Sequence, residues 1–217
     1  MGNSLNGRNI VVLIGPPASG KGTQAQTFEE KLGYRHLSTG DMFREIMKED
    51  TELGMSVKYY MDRAMLVPDD LAVDVLESKI SNMKDDKIML DGYPRTIEQA
   101  NKLDKKVEID TIIHLDVSLD SIKERIRNRR ICPKCKKIYN MLIENIDKCK
   151  ICDEKLVKRI DDKESIVESR YKEFIKVTQP VINYYKSQNR LTKIDGEGPV
   201  EDVFNRVENI LEDKKDD

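Results

Sequence analysis

A glycine-rich turn near the amino end of the chain has the residue types that bind phosphate. Residues 15–21 read Gly-Pro-Pro-Ala-Ser-Gly-Lys and fit the pattern G-x-x-x-x-G-K. The glycines let backbone N–H groups point at phosphate oxygens, a following helix adds its positive end, and Lys21 adds a full charge. The strict pattern continues with Ser or Thr, whereas this chain has Gly22 and then Thr23, so the usual hydroxyl contact with magnesium stays open. The turn predicts a site for the phosphates of a nucleotide.

Four cysteines form the second group of residues that could carry chemistry. Cys132, Cys135, Cys149 and Cys152 make two Cys-x-x-Cys pairs separated by thirteen residues. In a chain that starts without an apolar export signal, this spacing favours a metal over disulfides. Four thiolates suit a closed, tetrahedral zinc site that stabilises a small fold and leaves no water for the metal to activate. Four free thiols are the alternative interpretation.

The elements that would position these groups alternate along the chain. Apolar runs at 9–14, 87–90, 111–117 and 191–194 predict buried strands. Helical patterns lie between them, beginning with a helix predicted from Lys21 to Leu32 and ending with one whose apolar residues recur from Val200 to Leu211. This alternation predicts an α/β protein with a parallel sheet covered on both faces. Residues 131–160, hereafter the insert, break the alternation and carry the cysteines, so they predict a small separate fold.

Size and charge limit the classes of function. The chain has 217 residues, of which 38% are apolar and 36% charged, with a net charge of −2. This suits one core with a small insertion and argues against a nucleic-acid binder, which usually has a basic excess. No apolar run approaches the roughly 20 residues that cross a bilayer, and Asn6 breaks the myristoylation pattern that Gly2 would begin. We therefore expect a cytoplasmic monomer that binds small molecules, with neither membrane nor nucleic acid as a partner.

Further motifs occur in an order that resembles one family. Residues 36–44 read His-Leu-Ser-Thr-Gly-Asp-Met-Phe-Arg, residues 66–71 read Leu-Val-Pro-Asp-Asp-Leu, and residues 90–95 read Leu-Asp-Gly-Tyr-Pro-Arg, with Gln99 four positions later. Together with Gly-Lys-Gly-Thr at 20–23, these motifs resemble the adenylate kinases, and the resemblance covers nearly the whole chain. It implies a P-loop nucleoside-monophosphate kinase fold, with a parallel five-stranded sheet flanked by helices and an inserted lid.

The resemblance divides the chain into three parts. Residues 1–38, 68–130 and 161–217 would form the core P-loop domain, and residues 39–67 an AMP-binding helical segment. The insert would be the lid and would carry a four-cysteine zinc knuckle as a structural site.

The resemblance also implies an activity and the residues that perform it. The activity is the reversible, magnesium-dependent conversion of ATP and AMP to two ADP by direct in-line phosphoryl transfer. The implied ATP-binding residues are Gly15, Ala18, Ser19, Gly20, Lys21, Gly22, Thr23, Arg125, Arg129, Ile138, Tyr139 and Gly198. The implied AMP-binding residues are Thr39, Gly40, Arg44, Met65, Leu66, Val67, Gly92, Arg95, Gln99, Arg159 and Arg170. The implied catalytic residues, with Asp91 organising hydrated Mg²⁺, are Lys21, Asp91, Arg95, Arg129, Arg159 and Arg170.

The arginines agree with this implication on chemical grounds. Two nucleotides bring about six negative charges to one cleft, and planar guanidinium groups match a phosphoryl group in transfer. Arg125 and Arg129 are four residues apart on the helix that we predict to enter the insert, so they should share a face. Arg159 leaves the insert and Arg170 follows on the next predicted helix. With Arg44 and the arginine at position 95, they make a set of six suited to phosphates.

The sequence leaves two other functions open. A nucleoside-monophosphate kinase for UMP/CMP, or an AMP kinase with GTP as donor, would share the phosphate loop, although Thr39 and the long insert favour AMP and ATP. A zinc-ribbon nucleic-acid binder would explain the basic residues at 123–137 and the cysteines, but not the phosphate loop or Arg95. The histidines, His36 and His114, are interpreted as structural, because phosphoryl transfer depends mostly on positioning and charge.

Overall fold

A five-stranded parallel sheet forms the centre of the molecule. The computed structural model describes residues 8–213 except 64, 82, 107, 160, 161 and 163, so Gly2 and Asn6 lie outside the described residues. Its strands are β1 Asn9–Ile14, β2 Arg35–Ser38, β3 Lys87–Asp91, β4 Thr111–Asp116 and β7 Leu191–Asp195. They lie in the order β2-β3-β1-β4-β7, and each neighbouring pair is parallel. The predicted fold class is confirmed.

The apolar run of β1 is explained by its central position. The strand pairs with β3 on one side and β4 on the other, and helices cover both of its faces. Val12 packs with Leu76 and Tyr185 in one apolar layer, whereas Leu13 packs with Phe28 in the other. A strand buried on both faces needs a continuous apolar sequence rather than an alternating one.

Helices occupy both faces and follow the carboxyl ends of the strands. The predicted first helix is confirmed as α1, which ends at Leu32 and is capped by Gly33, whose φ of 71° glycine adopts readily. A π-helical turn, Phe174–Thr178, connects two of the later helices. No helix in the described part of the chain is long and apolar enough to span a bilayer. The helix bounds are α1 Lys21–Leu32, α2 Thr39–Ile46, α3 Glu52–Asp62, α4 Asp69–Ser81, α5 Ile97–Lys106, α6 Leu119–Asn128, α7 Met141–Glu144, α8 Glu164–Glu173, α9 Gln179–Ser187 and α10 Val200–Asp213.

The insert has its own small sheet and core. Strands β5 (Arg129–Ile131) and β6 (Ile138–Asn140) are antiparallel, and Ile131 also bridges to Val157. Its buried cluster contains Cys132, Tyr139, Cys149 and Leu156. So few apolar residues make a minimal core, and small folds of this size commonly need a metal or a disulfide.

Candidate active site

A deep cleft opens where β1, β3 and β2 end. Its volume is about 1090 Å³, including the open mouth. Because parallel strands end at the same edge, the loops that follow them meet there. The cleft wall includes many of the predicted residues, namely Gly15, Lys21, Thr39, Gly40, Arg44, Met65, Leu66, Val67, Gly92, Arg95, Gln99 and Arg170. The structure thus brings together residues that lie far apart in the sequence.

The phosphate loop lies directly between β1 and α1. Gly20 has a φ of 100°, in the left-handed region that favours glycine. A Cβ on Gly15 would lie 2.7 Å from the carbonyl oxygen of Leu115, so only glycine fits there. The Lys21 Nζ donates to the carbonyl oxygens of Gly15 at 2.9 Å and Pro16 at 2.8 Å. These carbonyls hold the ammonium group at the mouth of the loop, where an anionic phosphate could replace them.

Several cations act on Lys21 from the surrounding elements. The pKa of Lys21 is lowered to about 8, mainly by burial. The charges of Arg95, Arg170 and Arg129 contribute to the lowering, and the charge of Asp91 opposes it. A raised positive potential in a partly dry cleft attracts anions. The electrostatics therefore favour a multiply charged phosphate ligand at this place.

Asp91 ends β3 beside the phosphate loop. It is opposite Leu13 of β1 and Ser38 of β2 in the sheet register. Burial would raise its pKa, but contact with His36 and the charges of Lys21 and Arg95 outweigh burial and hold the pKa at about 2. The carboxylate is therefore ionised at neutral pH and suits a hard cation with bound water.

His36 occupies a position that the sequence did not reveal. Its Nε2 lies 3.4 Å from Asp91 Oδ2, an ion-pair distance without hydrogen-bond geometry. Residue 36 stands two positions before the end of β2, and β2 is adjacent to β3, so the sheet brings the ring to the carboxylate. His114 by contrast lies on β4, where burial lowers its pKa, as a structural histidine should.

Two glycines let arginine side chains approach the backbone on the other side of the cleft. A Cβ on Gly40 would lie 3.2 Å from Arg44 Nη1, and one on Gly92 would lie 2.9 Å from Arg95 Nη2. Arg95 Nε also donates to the Gly92 carbonyl at 2.7 Å. The Thr39 hydroxyl donates to the same carbonyl oxygen at 2.9 Å. The guanidinium groups of Arg44 and Arg95 therefore lie near Thr39, whose hydroxyl hydrogen is bonded to the Gly92 carbonyl.

Arg125 and Arg129 do not share a helix face, so that prediction is wrong. Helix α6 ends at Asn128, and Arg129 has an extended conformation with φ −70° and ψ 135° because it begins β5. Arg125 donates to the carbonyls of Ser19 at 3.1 Å and Gly196 at 2.8 Å, and thus joins the phosphate loop to the loop after β7. Arg129 instead forms a bidentate ion pair with Asp162, in which Nε donates to Oδ2 at 2.8 Å and Nη2 donates to Oδ1.

The insert lies against α1 and α2. Gln26 Nε2 donates to the Lys136 carbonyl at 3.0 Å, and Gln26 Oε1 accepts from the Ile138 N–H at 3.3 Å. Lys136 Nζ lies 2.9 Å from Glu45 Oε1 of α2. At the end of the insert, Arg159 Nη2 lies 3.6 Å from an oxygen of Asp41, also on α2. These contacts link the insert to both sides of the cleft.

Ile138 and Tyr139 point in different directions. A Cβ on Gly22 would lie 3.2 Å from Ile138 Cδ1, so Ile138 packs over the start of α1. Tyr139 is only 3% exposed and belongs to the core of the insert, and its implied ATP-binding role stays a prediction. Successive side chains of a strand face opposite sides, and β6 turns residue 139 toward the cysteines. Gly198 has a φ of 95°, and a Cβ added there would meet open space. Its ATP-binding role remains a prediction.

The four cysteine sulfurs lie within 4.8 Å of one another. The Sγ atoms of Cys135 and Cys149 are 3.6 Å apart, close to the separation of about 3.8 Å that zinc–sulfur bonds of about 2.3 Å give in a tetrahedron. Hydrogen bonds lower the pKa of Cys149, whereas burial raises the pKa of Cys135, so the four thiols do not ionise alike without a metal. It is the spacing of the four sulfurs that fits zinc.

Several residues of the cleft wall were not found from the sequence. Glu173, Phe174 and Thr178 line the cleft at the π-helical turn. Single π-turns inside helices occur often at functional sites, but no residue pattern in this stretch indicated the turn.

Comparison with known proteins identifies the family. The family model described as adenylate kinase matches residues 13–190. A protein from Petrotoga mobilis, named adenylate kinase, is 42% identical over 209 residues, which cover 93% of this chain and 96% of the relative. Proteins of the same name from Thermosipho melanesiensis and Clostridium kluyveri are 43% and 39% identical, cover 93% of this chain in each case, and match over 98% and 97% of their own lengths. The chain belongs to the adenylate kinase family.

Membership of the adenylate kinase family confirms the resemblance stated from the motifs. It makes the chain a phosphotransferase with nucleotides as substrates. The cysteines accordingly belong to an insert of an adenylate kinase fold rather than to a free-standing zinc ribbon.

Proposed function

We propose that the chain converts ATP and AMP reversibly to two ADP by direct in-line phosphoryl transfer. The observation that carries the proposal is that Lys21, Arg44, Arg95 and Arg170 line one cleft. A phosphoryl group in transfer spreads negative charge over its oxygens, and prearranged cations stabilise that charge. Positioning and charge then suffice, and no covalent intermediate on the protein is needed.

The two phosphate sites take different partners in this proposal. The phosphate loop, from Gly15 to Thr23, would hold the ATP phosphates, with Arg125 and Arg129 beside them. Arg44 and Arg95 would clamp the AMP phosphate, because bidentate guanidinium groups match phosphate geometry. Arg159 and Arg170 would act on the group in transfer.

The acceptor base would be adenine. The Thr39 hydroxyl gives its hydrogen to the Gly92 carbonyl, so toward a base it offers lone pairs, which suit an amino group. Met65, Leu66 and Val67 add apolar lining, and Gln99 adds an amide. A 6-aminopurine fits this combination.

Magnesium would be held with its water at Asp91, whose pKa of about 2 keeps it ionised. When bound, the cation neutralises phosphate charge. The residues of this chain do the remaining work: Lys21 and the arginines fix the phosphates in line, and closure of the insert over the cleft would exclude water.

The insert would act as a lid that carries structural zinc on Cys132, Cys135, Cys149 and Cys152. Its contacts with α1 and α2 support this role, since a lid that covers the phosphate loop keeps water from the reaction. Residues 39–67 would form the AMP-binding segment and the rest of the chain the core. We place this monomer in the cytoplasm, where thiolate ligands stay reduced.

The test is an assay of ADP formation across a panel of nucleoside mono- and triphosphates, including UMP, CMP and GTP. We expect ATP with AMP to be the best pair. We expect Arg95→Ala to lower kcat/KM for AMP by about ten- to a hundredfold, because a hydrogen bond to a charged group contributes about 1.5–3 kcal/mol. ATP binding without AMP should change little.

The matched control is Arg35→Ala, which removes an exposed arginine paired with Glu29 at 3.2 Å. It should leave both substrates unaffected. An equal loss of ATP binding in Arg95→Ala would contradict the acceptor assignment. A phosphorylated protein on the turnover path would contradict direct transfer.

A further inference from the structure

Gln99 is held from both ends of its side-chain amide. Its Oε1 accepts from the backbone N–H of Arg95 at 2.7 Å, and its Nε2 donates to Asp69 Oδ1 at 2.7 Å. The residue is 3% exposed and lines the cleft. Asp69 stands at the first position of α4, thirty residues before it in the chain.

A second contact holds Asp69 in place. Thr96 Oγ1 donates to Asp69 Oδ2 at 2.8 Å and accepts from the Gln99 N–H at 3.0 Å. Both carboxylate oxygens of Asp69 are therefore engaged by the start of α5. Asp69, Thr96 and Gln99 thus form a closed hydrogen-bonded ring that joins α4 to α5.

This ring permits one orientation of the amide. A backbone N–H can only donate, and a carboxylate can only accept. Rotating the amide by 180° would set two donors together at Arg95 and two acceptors together at Asp69. The carbonyl and the amino ends of Gln99 are thus fixed by chemistry as well as by packing.

We propose that Asp69 is a specificity-determining residue, which fixes the Gln99 amide so that the acceptor site accepts a 6-aminopurine and rejects a 6-oxopurine. The inference rests on the proposed AMP site. One lone pair of Oε1 and one hydrogen of Nε2 remain for the base. Adenine offers an amino donor beside a ring-nitrogen acceptor, whereas a 6-oxopurine offers a carbonyl acceptor in place of the amino group. A freely rotating amide could serve both bases, but a fixed one cannot.

The mechanism acts through mismatched polar groups. A site built for one hydrogen-bond pattern rejects the wrong partner strongly, because buried donors and acceptors are then left unpaired. Asp69 itself need not touch the nucleotide. It is a positioning residue for Gln99, and its effect should appear in the choice of base rather than in the chemical step.

The test compares AMP with IMP, which carries the 6-oxo group without the 2-amino group of GMP. For wild type, Asp69→Asn and Asp70→Asn, we would measure kcat and KM for each acceptor at saturating ATP. The asparagine side chain has nearly the shape of aspartate but can also donate, so the Asp69→Asn variant no longer requires a donor at that end of the Gln99 amide. We expect this variant to lower the AMP-to-IMP ratio of kcat/KM by about tenfold or more, with KM for ATP unchanged.

Asp70→Asn is the matched control. Asp70 is the next residue of α4, its side chain is 89% exposed, and it pairs with Lys102 at the surface. It should keep the wild-type ratio. A second variant, Thr96→Val, removes the hydroxyl that holds Asp69 and should shift the ratio in the same direction by a smaller factor.

The outcomes separate this inference from the proposed function. If wild type does not phosphorylate AMP, the proposed function fails and the inference with it. If wild type prefers AMP but neither Asp69→Asn nor Thr96→Val changes the ratio while both remain folded by melting, the inference alone is overturned. A fall in kcat for both bases, with the ratio kept, would mean that Asp69 has only a structural role.

Discussion

The contact between Gln26 and the insert gives the sharpest test of lid closure. The amide of Gln26 pairs with the Lys136 carbonyl and the Ile138 N–H, in the manner of a neighbouring strand. We expect Gln26→Ala to weaken the docking of the insert on α1. A neutral hydrogen bond contributes a net of about 0.5–1.5 kcal/mol. One of the two bonds is long at 3.3 Å, so we expect about 1–2 kcal/mol for the pair.

This free energy converts to a measurable change. About 1–2 kcal/mol corresponds to roughly a five- to thirtyfold shift toward the undocked insert. If closure over ATP needs this contact, KM for ATP should rise by up to that factor. Turnover should not fall in proportion, because opening of a lid to release product becomes easier. Amide exchange at Ile138, read by mass spectrometry, should accelerate by a similar factor.

Glu30→Gln provides the control on the same helix. It removes an ion pair with Lys137 of the insert, and Glu30 is 52% exposed. Exposed ion pairs contribute about 0–1 kcal/mol and are screened by salt. We expect a change in KM for ATP of less than about fivefold, which salt should remove. If Gln26→Ala leaves both the Ile138 exchange rate and KM for ATP unchanged in a folded protein, the amide does not hold the insert closed.

Two further predictions concern metal and pH. Cys149→Ser should reduce bound zinc in elemental analysis and lower the melting temperature, while turnover at low temperature stays within about tenfold of wild type, because a closed structural site takes no part in catalysis. If the wild type contains no metal and melts at the same temperature with and without chelator, the cysteines are four free thiols. If chelation abolishes turnover while the protein stays folded and magnesium is in excess, the metal is catalytic. The low pKa of Asp91, about 2 against 3.8 for an ordinary Asp, should add about 2 kcal/mol to the free energy of unfolding above about pH 4. This contribution should disappear as the pH falls toward 2, so denaturation curves of wild type and Asp91→Asn should converge there; a difference independent of pH would refute the assignment.

The parts of the site that the sequence predicted are those made by neighbouring residues. A strand, a glycine-rich turn and a helix in succession form the phosphate loop from contiguous residues, and Gly20 has the left-handed conformation that glycine adopts readily. The cysteine pairs were likewise found by spacing, because a tetrahedral site restricts which spacings can bring four sulfurs together. The short strand β2 was not among the predicted strands, since its four residues, Arg35–Ser38, are mostly polar.

Sequence alone thus determined the fold class and the family, and it located the glycine-rich turn and the cysteine pairs, because these depend on local pattern and order. Only the tertiary structure decided which side chains meet. It placed His36 against Asp91 across two strands, and it directed Tyr139 into the insert rather than toward the cleft. It also joined Asp69 to Gln99. Such pairings depend on sheet register, on the ends of helices and on the docking of the insert, and they follow from packing among residues distant in the chain, which no short motif records.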